Sequence, residues 1–156
     1  MQGMMKNLKS MQRWAVQAVE VIFTETTGAG VYTGSVVVPA GATILDIIVN
    51  GVVLWAAATS ATMKVGDATD DDGYFTAVDL KATDLLAGES ISLDLAGGKA
   101  GAYIANSQVS PRYSDSERII SGVVTVVGAT GATGVTRMLV VMATPMPVDP
   151  ILATKV

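Results

Sequence analysis

The chain of 156 residues contains no cysteine and no histidine. These absences remove disulfides, thiolate nucleophiles, Cys/His zinc sites and every triad or acid–base scheme built on imidazole. A fold without cysteine needs no oxidising compartment. Charge is scarce too: charged residues make up 15% of the chain, against about 25% in ordinary globular domains. A surface so short of charge points to burial of part of it in an assembly, because large exposed apolar areas mark contact sites. The other reading is an Ala-, Gly- and Thr-rich β domain that needs few charges. The net charge of −4 argues against a general nucleic-acid binder. No membrane span is expected. The most apolar run, Ile47–Ala58, is broken by Asn50–Gly51 and falls short of the roughly 18 residues a spanning helix takes. Met1–Met11 is basic, but no apolar core and cleavage site follow it, so no signal peptide is expected and cytoplasmic synthesis is the default.

What is present is a β pattern. Ser35–Ala58 is its seed. Val36–Val38 and Thr43–Val49 flank a corner at Pro39–Gly41, and a further apolar run, Val52–Trp55, follows. Proline ends the first strand by removing a backbone donor, and glycine supplies the freedom a reversal needs. Asn50–Gly51 reads either as a hairpin turn or as a bulge that bends one long strand. Arg13–Thr24 is the first long strand. Ala15, Val19, Val21 and Phe23 share one face, and Trp14, Val16, Ala18 and Ile22 share the other. Helix competes there, but the Val-Ile-Phe-Thr ending favours a strand. Further strands are read at Val31–Val38, Thr62–Val65, Tyr74–Phe75, Ser90–Leu95, Arg118–Val127 and Val135–Thr144, with one helical turn within Leu80–Leu86 capped by Thr83. Ala96–Glu117 has no regular pattern, and loops of that length are often functional or interfacial. About eight strands with turn signals between them predict an all-β fold, an antiparallel β-sandwich with jelly-roll-like topology. The expected domain plan is a basic N-terminal arm at 1–11, the sandwich at 12–144, and an extended C-terminal arm at 145–156 punctuated by Pro145, Pro147 and Pro150.

Candidate sites are few. Asp67, Asp70, Asp71 and Asp72 crowd one turn, and clustered carboxylates can hold Ca²⁺. The EF-hand spacing fails, since taking Gly73 as position six puts Ala68 at position one, where a carboxylate is needed. A solvated turn whose Asp side chains bond nearby amides is the favoured reading, so no metal and no cofactor is expected. No acid has the context of a glycosidase pair. Asp46, inside an apolar strand, should face solvent or bond across to a neighbour. Trp55 is expected in the core. The residues expected to touch a partner are the basic Lys6, Lys9 and Arg13, and Arg112, Tyr113, Glu117 and Arg118 of the densest charged segment.

The run GSVVVPAGATILDIIVNGVVLW, followed by KVGD, DDDGYF and LLAGESISLDL, resembles small virion-associated proteins of tailed bacteriophages, in the style of capsid decoration or cement proteins. The likeness covers about Gly34–Leu95. It implies a β-rich, non-enzymatic virion protein, often trimeric, that binds a major capsid protein or other virion proteins. It carries no active-site residue. A neck, tail or fibre component is the nearest alternative. A carbohydrate-binding module, with Tyr74 and Tyr113 as stacking residues, belongs to a different class, and a hydrolase has the least support.

Overall fold

A computed structural model of the chain describes residues 13–28, 30–105, 111–128 and 131–147. Lys6, Lys9 and most of the two expected arms lie outside the described residues. Among these residues eight strands form: β1 (Trp14–Thr24), β2 (Val31–Val38), β3 (Thr43–Val53), β4 (Ser60–Gly66), β5 (Phe75–Asp79), β6 (Ser90–Ile91), β7 (Arg118–Val127) and β8 (Val135–Pro145). They build two four-stranded sheets, ordered β1-β8-β3-β6 and β2-β7-β4-β5, in which every pairing is antiparallel. The fold is an all-β sandwich, as the strand pattern predicts. First pairs with last, second with seventh, third with sixth and fourth with fifth.

The two inner faces make the core by simple alternation. Met138, Val140 and Met142 of β8 are fully buried, as are Ile44, Ile47 and Val49 of β3. They meet Val36, Val38, Met63, Val65, Ile120 and Val124 from the other sheet. Each such side chain gains about 1.5–3 kcal/mol on leaving water. Trp55 is in the core as expected, with its indole Nε1 donating to Thr136 Oγ1 at 2.9 Å and its ring edge-on to Tyr32.

Three local expectations are decided or corrected. Asn50–Gly51 lies inside β3, whose pairing with β8 slips between Gly51 and Val53, so it marks a bulge and not a hairpin. The cause is a close backbone approach: Gly51 exchanges hydrogen bonds with Glu89 and Gly88, and a Cβ on it would lie 2.4 Å from the Leu86 carbonyl oxygen. The strand expected at Ser90–Leu95 ends after Ile91. Leu93 donates its N–H to Asp46 Oδ1 at 3.0 Å instead of to a ladder carbonyl. Asp46 sits where β3 shifts register and also accepts from Ile47 N–H, so it bonds across to a neighbour as expected. Leu80–Leu86 forms turns and no helical turn. Asp79, not Thr83, heads them, accepting from the N–H groups of Lys81 and Ala82 and from the Thr83 hydroxyl.

The irregular stretch after β6 holds a 3-10 turn at Gly97–Lys99 and one helical turn, α1 (Ala102–Ala105). Past it, the segment from Pro111 lies beside the start of β3, with Ile44 N–H donating to Arg112 O and Gly41 N–H to Ser114 O, both at 2.8 Å. Pro145 is the last residue of β8 and stands opposite Trp14, one position beyond the expected strand end.

Candidate functional site

The acidic turn joins β4 to β5. Asp67 Oδ1 accepts from the N–H of Thr69 and Asp70 and from the Tyr103 hydroxyl, the last at 2.9 Å. Asp71 forms an ion pair with Lys64. Asp72 Oδ2 accepts from Thr76 Oγ1 at 2.8 Å. One carboxylate oxygen from each of Asp70, Asp71 and Asp72 lies within 4.8 Å of the others, while Asp67 is turned to Tyr103. The side-chain hydrogen bond with Asp72 raises the Asp70 carboxyl above its usual range. The bond from Thr76, then that from Asp70, lowers Asp72. The pair therefore takes up a proton more readily at Asp70 than at Asp72. α1 seals the turn: a Cβ on Gly101 would lie 2.0 Å from the Asp72 carbonyl oxygen, and Tyr103 N–H donates to Gly73 O. Burial first, and then the bond to Asp67, raises the Tyr103 phenol well above its usual value. The carboxylates hold the turn and α1 together.

The charged segment after Pro111 is also tied inward. Arg118 donates from its terminal nitrogens to the carbonyls of Pro111 and Arg112, while its Nε is buried without a hydrogen-bond partner. Arg112 donates to Leu45 O at 3.1 Å and stands 3.7 Å from Asp94. Two of the expected contact residues therefore spend their donors on their own chain. Tyr113 and Glu117 are exposed. Arg13 accepts the Met146 N–H on its carbonyl at 2.8 Å. Of the two expected sugar-stacking residues, Tyr74 is fully buried, its hydroxyl donating to Pro111 O, so it offers no platform.

The larger open feature is apolar and was missed in the sequence. Among the described residues, β1 is an edge strand paired only with β8. Phe23 is buried and Val21 partly so, but Val19 and Gln17 on the same face are exposed, so the first half of β1 overhangs the second sheet. On its other face Trp14, Val16 and Ile22 are exposed at 48%, 67% and 56%. On the second sheet charge enters through Lys64 of β4, opposite Val123, and Asp79 of β5, opposite Thr62, while the half built by β2 and β7 turns a neutral outer face to solvent. Its cross-strand rows are Val31–Thr125, Thr33–Val123, Ser35–Ser121 and Val37–Ile119, and none carries a charge. Val31, Val37 and Ile119 are exposed there. The available signal was the apolarity of both faces of β1, the pattern of a strand covered on both sides.

The sandwich thus combines a charge-free outer face over β2 and β7 with an open apolar edge at β1. Two solved structures that share its fold are chains of bacteriophage capsids, the class the sequence resemblance points to. A chain in the cyanophage Pam1 capsid asymmetric unit matches with a TM-score of 0.54 and 24% identity, over 86% of this chain and 86% of that one. A chain in the acidic stable capsid structure of Helicobacter pylori bacteriophage KHP30 matches with a TM-score of 0.52 and 17% identity, over 88% of this chain and 95% of that one. No protein-family model and no curated protein matches.

Proposed function

We propose that this chain is a non-enzymatic structural protein of a phage virion, a decoration or cement subunit that binds the head surface as a homo-oligomer. The observation that carries this is the fold shared nearly end to end with chains of two phage capsids. The neutral outer face of β2 and β7, with Val37 and Ile119 open to solvent, supports a covering role. The nesting of β1 with β8, β2 with β7, β3 with β6 and β4 with β5 supports a jelly roll, the topology two Greek keys produce. The binding partner on this reading is the major capsid protein, and the site of action is the assembled particle. Cryo-EM of virions containing the chain tests it. Density on the outside of the head is expected. Density only at the neck or tail would remove the decoration role and leave the structural one, and absence from purified particles would remove both.

A further inference from the structure

The sandwich has two very different sides. On one, the edge strands are short: β6 has two residues and β5 has five. On the other, β1 runs for eleven residues in unbroken register with β8, from Trp14–Pro145 to Thr24–Val135. Natural sheets protect long edges with charge, proline, bulges or a covering segment. β1 has no proline and no bulge, its one charged residue is Glu20, and among the described residues no strand lies beyond it. Its row of outward N–H and C=O groups lies beside exposed Trp14, Val16 and Ile22. Such an edge accepts one more strand.

We infer that the free edge of β1 is paired by residues 148–156 of a second copy of this chain. Three observations select that occupant. The chain leaves the fold at the same corner: β8 ends opposite Trp14, and Met146 N–H donates to the Arg13 carbonyl. Residues 148–156 read VDPILATKV, and Ile151–Val156 is a proline-free run with β-branched residues, long enough to cover about 20 Å of edge. Residues 1–12 hold no β-branched residue and carry Lys6 and Lys9, so they make the poorer strand. The third observation is charge. Lys155 is the one cation of the segment, and Glu20, the one charge of β1, stays 43% exposed beside Arg137 at 3.5 Å, open to a second cation. With the segment parallel to β1, the register that sets Lys155 beside Glu20 also sets Ile151 beside Val16 and Ala153 beside Ala18. Exchange between copies is favoured over pairing within one. To reach its own β1 edge, the segment must reverse sharply past its neighbour strand, and the fixed φ that proline imposes at Pro147 and Pro150 disfavours such a reversal. A head-to-tail exchange of this kind closes into a ring when the rotation permits.

This rests on the homo-oligomer part of the proposed function, and the tests separate the two. Analytical ultracentrifugation of the full chain should give an oligomer, and the chain shortened to 147 residues should give a folded monomer by circular dichroism. A synthetic peptide of residues 148–156 should bind the shortened chain and bind the full chain at least tenfold more weakly, since the edge is already filled. The chain has no cysteine, so Val16→Cys with Ile151→Cys gives a clean cross-linking pair. A short bismaleimide should produce dimers and higher ladders on a denaturing gel. A link confined to single chains, or a shortened chain that remains oligomeric and ignores the peptide, would overturn the exchange. In the latter case the homo-oligomer stands on another surface. A full chain that is monomeric at all concentrations would overturn both.

Discussion

Glu25 is the one charged residue buried among the described residues. Its Oε2 accepts the N–H groups of Ala56 at 2.9 Å and Gly134 at 3.0 Å. Its own N–H donates to Gly134 O. One carboxylate thus ties the end of β1 to the loops after β3 and before β8. Buried amides left without an acceptor cost about 1–3 kcal/mol each. Glu25→Ala should therefore lower stability by about 2–5 kcal/mol in urea unfolding, while Glu25→Gln, which keeps an acceptor, should lose clearly less. Equal losses in the two variants would show that packing, not the paired amides, sets the cost. Tyr103 gives a second prediction, in alkaline solution. Its phenol is raised by burial and by the Asp67 carboxylate. The neutral form is the one the fold favours, so its contribution is complete below the unfolded phenol's value of about 10 and is lost as pH rises through the folded value. Tyr103→Phe should cost about 1 kcal/mol at neutral pH through the bond to Asp67. The gap between variant and parent in denaturant unfolding should shrink as pH climbs past 10. Parallel stability curves would count against the assignment.

At the scale of elements, the attachment of β1 turns on one ring and two absent side chains. Gly34 of β2 and Gly122 of β7 are paired partners. A Cβ on Gly34 would lie 2.3 Å from Val21 Cγ1, and one on Gly122 would lie 2.8 Å from Phe23 Cζ and from Met63 Cε. The Phe23 ring fills the space both glycines leave, and it is the last fully covered residue before β1 overhangs. Phe23→Ala should cost about 3–5 kcal/mol. Gly122→Ala should cost about 1–3 kcal/mol by overpacking the same place. Hydrogen exchange should show β1 amides losing protection before those of β3 in both variants; uniform loss across the sheet would refute a local anchor. The strands themselves were legible, because period-two alternation in β3, β7 and β8 follows directly from one buried face. The end of β6 was not. Ile91, Leu93 and Leu95 alternate properly, but a carboxylate from a distant bulge takes the Leu93 amide, and no local pattern records that. Nor was Glu25 legible: an acid between a strand and a Thr-Thr-Gly turn looks solvated until the β7–β8 loop is folded over it. The inward ties of Arg112 and Arg118 were not legible for the same reason, since a charged run looks exposed until its carbonyl partners are placed.

For the whole molecule, the question is which kind of surface holds it to a partner. The sequence offered charged residues, among them Lys6, Lys9, Arg112 and Arg118. The structure turns terminal nitrogens of Arg112 and Arg118 to carbonyls of their own chain, and turns outward the neutral face of β2 and β7 and an apolar edge. The two surfaces respond oppositely to salt. Exposed ion pairs are screened within about 3 Å at 1 M ionic strength. Apolar burial is not screened, and strongly hydrated salts strengthen it. If the chain attaches to particles through the face of β2 and β7, it should stay bound in 1 M sodium chloride, as read by pelleting particles and weighing the protein retained. It should also be released by Val37→Lys with Ile119→Lys. Those substitutions put cations on positions already exposed at 52% and 49%, so the fold should keep its melting temperature within a few degrees. Release by salt alone, with the double lysine variant still bound, would move the contact to the charged residues and make the low charge of this chain a property of its β architecture and not of its assembly.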